Sequence, residues 1–202
     1  MLNNIVFELT TNPKYIYQYL QIRHNVYVNE KKYLLSCNSM NIEYDCFDFY
    51  AKYFLILTNK IVIGGVRFIE LQDYKIGLPV ISSISIDEFL TKLEQRTEHS
   101  LSNKKIAEIS RLIVTKPFRN KGFVNGLFRE IYIYCKKLNI SVLLCTANNK
   151  TIDIYKKIGF KYINVDKKSQ QDYKLSGDWW ALYLDLDDME MIRKLDKRFF
   201  IN

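Results

Sequence analysis

At 202 residues, with 48% hydrophobic and 26% charged content, the chain is long enough to bury one sizeable core and is not a disordered polymer. Its net charge of +8 is concentrated between Lys116 and Lys168, where twelve Lys/Arg meet only Glu130, Asp153 and Asp166; such a face steers an acidic partner, and with no nucleic-acid motif present that partner is expected not to be DNA or RNA. Four cysteines (Cys37, Cys46, Cys135, Cys145) without a CxxC pair, and two histidines, His24 and His99, in ordinary exposed settings, argue against a metal site and for reduced thiols.

The chain begins MLNNIVFELTTN, which lacks the regions of a secretory signal, and no apolar run approaches the ~20 residues of a membrane span. A cytoplasmic protein without a transmembrane segment is therefore expected. Residues 5–9 alternate as a first strand. Asn12-Pro13 then opens a helix, with Asn as cap and Pro at its first position. Tyr15, Tyr19, Leu20, Ile22 and Val26 form its apolar stripe, and Arg23 and Tyr27, four apart, share one side. Residues 28–48 read as a loop carrying Tyr33, Glu43, Asp45 and Asp48. Residues 53–57 and 61–71 read as a hairpin turned at Asn59-Lys60. Arg67 lies inside the second strand between Val66 and Phe68, where a guanidinium needs a carboxylate or water. Residues 84–93 suggest a short helix and 95–105 an exposed loop.

The stretch 106–123, IAEISRLIVTKPFRNKGF, is the most informative one. Ile109, Leu112, Ile113 and Val114 make a strand that Pro117 stops, since proline has no N–H for a sheet. Arg119, Asn120, Lys121, Gly122, Phe123 and Val124 then lead into an amphipathic helix over 123–138. Amide groups at a helix start attract anions, a glycine lets the main chain come close to one, and two cations add to the field. Residues 141–145 form a short apolar strand, 148–158 a helix closed by Gly159, 161–165 a strand, 179–186 a last strand and 189–200 a final helix. The alternation after residue 106 implies crossovers around parallel strands, and the hairpin before it is antiparallel. The expected fold is one α/β (α+β) domain over 1–202, a mixed sheet with helices on both faces.

Several of these stretches resemble the GNAT acyltransferase superfamily. Its acyl-CoA turn, Arg/Gln-x-x-Gly-x-Gly/Ala, is matched by Arg119 and Gly122 at the usual spacing from Val114; Val124 stands where the family has Gly or Ala, which fits a donor with a single phosphate. Asn148, Tyr155, Gly159 and Phe160 match the family's C-terminal signature. The N-terminal half resembles the acyl-homoserine lactone (autoinducer) synthases and the long-chain N-acyl amino acid synthases. Arg23 and Tyr27, then Tyr33, then Glu43, Asp45 and Asp48, then Arg67, then Glu108, Ser110 and Arg111 keep that order and spacing. A clear phosphate turn, the Tyr155 segment and Tyr rather than Trp at 33 place the chain on the N-acyl amino acid side.

The resemblance implies a mostly antiparallel sheet splayed at its centre. It implies transfer of a long-chain acyl group, as acyl-phosphopantetheine on an acidic acyl carrier protein or as acyl-CoA, to the amine of a small acceptor such as an amino acid, with no metal. Glu108, Arg111 and Tyr155 would be catalytic, Glu108 as base and Tyr155 as acid for the leaving thiolate. Arg23, Tyr27, Tyr33, Glu43, Asp45, Asp48, Arg67 and Ser110 would bind substrate. Leu112, Ile113 and Val114 with Arg119 to Val124 would hold the donor, and the acyl chain would lie near 142–145 and 179–184. Three arginines matched by acids can be kept near a core only if paired. An autoinducer synthase and a non-catalytic acyl- or carrier-binding module are the alternatives.

Overall fold

The computed structural model describes residues 4–32, 39–71, 86–97, 100–101, 103–163 and 179–200, with the side chains of 86–88 outside the description. Tyr33, Cys37 and His99 therefore lie outside the described residues. The strands are β1 (Ile5–Thr10), β2 (Lys52–Thr58), β3 (Ile61–Glu70), β4 (Lys105–Val114), β5 (Ile140–Asn148), β6 (Lys161–Ile163) and β7 (Trp179–Asp185). The helices are α1 (Pro13–His24), α2 (Ile86–Thr97), α3 (Phe123–Leu138), α4 (Ile152–Ile158) and α5 (Met189–Phe200). The strands form one mixed, mostly antiparallel sheet in the order β1-β2-β3-β4-β5-β7-β6. Among the described residues no helix is long and apolar enough to cross a membrane.

The chain divides into two compact units, Met1–Ile69 with Ile109–Tyr134, and Glu70–Glu108 with Cys135–Asn202. In the first, Asn12 caps α1 by accepting from the Lys14 amide at 3.0 Å, and Pro13 occupies the position where a missing N–H costs nothing. Asn59 and Lys60 both have positive φ (49° and 64°), as a two-residue hairpin turn requires, so β2 and β3 pair antiparallel from Thr58↔Ile61 to Lys52↔Phe68. Strand β2 is buried on both faces. Tyr53, Leu55 and Leu57 pack with Tyr19 of α1, while Phe54 meets Phe68 and Tyr134 of α3 edge-on, at 5.8 and 5.4 Å between ring centres.

In the second unit β7 lies between β5 and β6 and is antiparallel to both, so β5 and β6 run parallel to each other with one strand between them. The connecting helix α4 ends at Gly159, whose φ of 128° lets its N–H close back on Tyr155 and Lys156. Phe89 and Leu93 of α2 and Leu195 of α5 are fully buried.

Four readings of the sequence are corrected. The segment 28–48 is not loop throughout: α1 runs on into a π-helical turn (Asn25–Glu30), and a 3-10 helix (Cys46–Tyr50) closes the segment. Helix α2 extends to Thr97, and α4 starts at Ile152 because Asn148 ends β5 and forms a turn with Thr151. His24 is buried, at 5% exposure.

Candidate active site

Helix α1 delivers Arg23 to the interior, 0% exposed; of its partners, Asp48 lies in the 3-10 helix and Glu43 just before it. Arg23 donates to Glu43 through Nε and to both oxygens of Asp48 through Nη1 and Nη2, at 2.6 and 2.9 Å. Arg67, also 0% exposed, donates from Nη1 to Asp45 at 2.5 Å and from Nε to the Ser110 hydroxyl at 3.0 Å. Arg111 donates from Nη2 to Glu43 at 3.0 Å and to Asp45 at 2.8 Å. Three guanidinium groups and three carboxylates thus form one closed, charge-balanced cluster, which is what a low-dielectric interior demands of ions.

The cluster is tied to the backbone as well. Asp45 and Asp48 form a capping box at the start of the 3-10 helix: Asp45 accepts from the Phe47 amide, and Asp48 accepts from the Asp45 amide. Rings line it: Tyr19 under Arg23, Phe47 under Arg67 and Tyr27 under Arg111, each 5.7–5.8 Å from ring centre to guanidinium carbon. Burial pushes the Glu43 and Asp48 carboxyls up, but the Arg23 contacts outweigh it and hold both below the ordinary carboxylate range; Arg111 assists at Glu43 and Arg67 at Asp48. Burial alone would lower Arg111, yet Glu43 holds it more firmly charged than a free arginine. One donor, Arg67 Nη2, is buried without a hydrogen-bond partner among the described residues.

Arg111 also breaks the strand. Its φ is +58°, a left-handed value inside β4, and it is not glycine. In a regular strand successive side chains point to opposite faces. Here Ser110 and Arg111, adjacent in sequence, both join the same cluster, Ser110 through Arg67. A kink of this kind disrupts the hydrogen-bond ladder locally and re-aims side chains.

Beyond the kink, Leu112 and Val114 are half-buried and Ile113 is buried. The strand leads to a 3-10 turn (Lys116–Phe118) and then to the glycine turn. Asn120 and Gly122 have φ of 60° and 79°, and a Cβ on Gly122 would meet nothing within 4 Å, so the main chain there stands open. No acid sits in the first turn of α3, and Phe123 and Val124 are its first residues. Lys121 lies over the Phe118 ring at 5.6 Å, and that ring is 6.5 Å from Phe123. Arg119 is already engaged: Nε donates to the Val114 carbonyl at 2.8 Å, and the guanidinium pairs with Glu30 at 2.8 Å. It therefore braces the turn against the strand end.

Glu108, in the second unit, is 0% exposed. Tyr155, also there, is 4% exposed and packs edge-on against Phe160 at 5.5 Å. Sequence reasoning passed over Tyr19 and Tyr53 as apolar stripe and strand residues. Tyr19 donates its hydroxyl to the Arg111 carbonyl, and Tyr53 donates to Asp48 at 3.0 Å. A tyrosine at a buried position with its polar tip beside a cluster of arginines was the only signal available.

Two models described as "Acetyltransferase (GNAT) domain" match residues 22–129 and 96–172. Among solved structures, FeeM, an N-acyl amino acid synthase from uncultured soil microbes, superposes with TM-score 0.69 at 17% identity, covering 92% of each chain. BjaI, a CoA-dependent acyl-homoserine lactone synthase solved with SAM and isopentyl-CoA, gives 0.67 at 17% identity, covering 96% of this chain and 88% of that one. The acyl-homoserine lactone synthase LasI gives 0.69 at 16% identity, covering 98% and 95%. Among curated proteins, the DNA-directed RNA polymerase subunit beta'' of Plasmodium falciparum (isolate 3D7) is 29% identical over 171 residues, 80% of this chain; the chain spans 16% of that protein's length, and a likeness to so small a part of a longer chain carries no activity. With the first domain model covering more than half of it, the chain belongs to the GNAT acetyltransferase family.

Proposed function

We propose that the protein is an N-acyltransferase that moves an acyl group from a phosphopantetheine thioester to the amine of a small acceptor such as an amino acid. The observation that carries this reading is the single strand β4. At one point it is kinked and locked onto a buried ion cluster, and a few residues later it feeds an open, cation-flanked glycine turn. The turn suits a phosphate, through Lys121, the Gly122 backbone and the start of α3. The kinked strand suits the pantetheine arm and the thioester carbonyl, because amides freed from a ladder are donors for it.

The reaction is direct aminolysis. The amine nitrogen attacks the carbonyl carbon, a C–N bond forms, the C–S bond breaks, and the thiolate leaves. One proton goes from the amine to a base and one reaches the sulfur. Glu108 is the candidate base; being fully buried, it would act on an amine inside the fold or through one water. Tyr155 is the candidate acid. Arg67 Nη2 offers the acceptor's carboxylate, or an ordered water, an unused donor.

The donor is an acyl carrier protein or CoA. FeeM and BjaI, whose folds are similar, are respectively an N-acyl amino acid synthase and a CoA-dependent enzyme solved with isopentyl-CoA. An acidic carrier is supported by a basic face in the second unit. There Lys136 of α3 pairs with Asp196 of α5 at 3.3 Å, and Arg198 of α5 donates to the Lys157 carbonyl of α4 at 2.7 Å, bringing three lysine- and arginine-rich helix ends together.

Mass spectrometry of lipid extracts from expressing cells tests the reading. N-acyl amino acids are expected with the native protein and at least about tenfold less with Arg111→Met, which takes from Glu43 and Asp45 the one arginine they share. Acyl-homoserine lactones instead would make it an autoinducer synthase, and no new acyl amide from any amine would leave a binding module.

A further inference from the structure

A left-handed φ at a non-glycine residue is strained and persists only where its surroundings enforce it. At Arg111 (φ +58°) three kinds of contact do so. Two act on its side chain: the ion pairs to Glu43 and Asp45, and the Tyr27 ring. A long side chain can keep such contacts while its main chain relaxes. The third contact, from the Tyr19 hydroxyl, is to the Arg111 main-chain carbonyl itself.

Tyr19 is built for rigidity. It is 0% exposed, held edge-on by Tyr53 at 5.8 Å, and covered by the Arg23 guanidinium. Its ring passes over Gly65 of β3, where an added Cβ would come within 3.2 Å of Tyr19 Cε2, so a side chain at 65 would crowd the path from α1 to β4. Burial pushes the phenol pKa well above its ordinary value, so the hydroxyl keeps its proton and remains a donor throughout the working pH range.

We infer that Tyr19 is a positioning residue for acyl transfer: by holding the Arg111 carbonyl it fixes the kink that aims the amides after Arg111 at the donor thioester. This rests on the proposed function. Tyr19 is fully buried and acts through the strand. The inference also explains why a tyrosine, rather than a phenylalanine of equal ring size, fills a fully buried core position: among the described residues the hydroxyl has one hydrogen-bond partner, and that partner is the strained residue.

The test is Tyr19→Phe, which keeps the ring and removes one donor, with Tyr15→Phe on the same helix as control. Two readouts are needed. In steady-state kinetics of the purified full chain with acyl-CoA and an amino acid mixture, kcat should fall about tenfold while both KM values stay within about twofold, because the loss is felt in the transition state. In amide hydrogen exchange, residues 110–114 should exchange at least about tenfold faster while the rest of the first unit keeps its protection. Unchanged kcat with unchanged exchange would overturn the inference. So would loss of protection across the whole first unit, which would mark Tyr19 as general packing. If the native protein transfers to no amine, the functional reading fails by itself, and the exchange experiment still decides whether Tyr19 holds the kink.

Discussion

At the scale of single residues the cluster behaves as one object. Asp48 accepts from Arg23 twice and from Tyr53 and the Asp45 amide, so Asp48→Asn removes one of the two carboxylates that neutralise the fully buried Arg23 and leaves it only Glu43. Breaking a buried pair from one side costs about 3–5 kcal/mol, more than most point changes. The same contacts fix a pH dependence. Glu43 and Asp48 have carboxyls held below their unfolded values, which lie near 4. Their contribution to stability is complete above that value and is lost as pH falls through the lower folded values. Urea unfolding at a series of pH values should show these groups adding no slope between about pH 5 and 7, and a steep loss below about pH 4 that is shallower in Asp48→Asn. The residue types of this cluster were legible in the sequence, because arginines and acids of equal number must pair to be buried. The partner of each arginine was not. Nor was the φ of Arg111, since left-handed positions are signalled by Gly or Asn and here the neighbours enforce it.

At the scale of elements, legibility followed length and period. Helices α3 and α5 were read to the residue, because sixteen and twelve residues carry a full amphipathic repeat. Residues 28–30 of the π-turn at Asn25–Glu30 and 46–48 of the 3-10 helix at Cys46–Tyr50 were read as loop, because six or five residues are too few to show a period. Their order comes from tertiary contacts, chiefly Asp45 and Asp48 on the arginines. Helix α3 also carries a cost that the sequence does not explain, a glycine at 126 near its start. A Cβ there would lie 2.4–2.9 Å from three ring atoms of Phe7 in β1, so the glycine is the seat of that ring. Two effects of Gly126→Ala compete: helix propensity gains about 1 kcal/mol, and overpacking costs about 1–3 kcal/mol. An aromatic ring against strand backbone cannot retreat as a flexible chain can, so the second wins. The midpoint of chemical unfolding should fall in Gly126→Ala and return when Phe7→Leu is added.

At the scale of the molecule the question is what the positive charge serves. Charge spread at random would only aid solubility, but here Lys136 and Lys137 at the end of α3, Lys156 and Lys157 of α4, and Arg193 and Lys197 of α5 are all exposed residues of the second unit, and side-chain contacts join these helix ends. The two candidate donors differ in how they would use such a face. CoA carries its charge on a few phosphates that one glycine turn can hold. A carrier protein carries acidic charge over a folded surface, and its encounter is steered by charges outside the contact with the thioester. Reversing Arg193 and Lys197 to Glu together should therefore raise KM for an acyl carrier protein about tenfold at low salt. The difference should shrink toward unity near 1 M salt, where the Debye length is about 3 Å. With acyl-CoA the same variant should keep KM within about twofold at every salt concentration, since neither residue belongs to the turn. Equal insensitivity of both donors would assign the face to solvation and leave CoA as the natural donor; equal sensitivity would mean that the substitutions disturb the unit, which its unfolding midpoint would show directly.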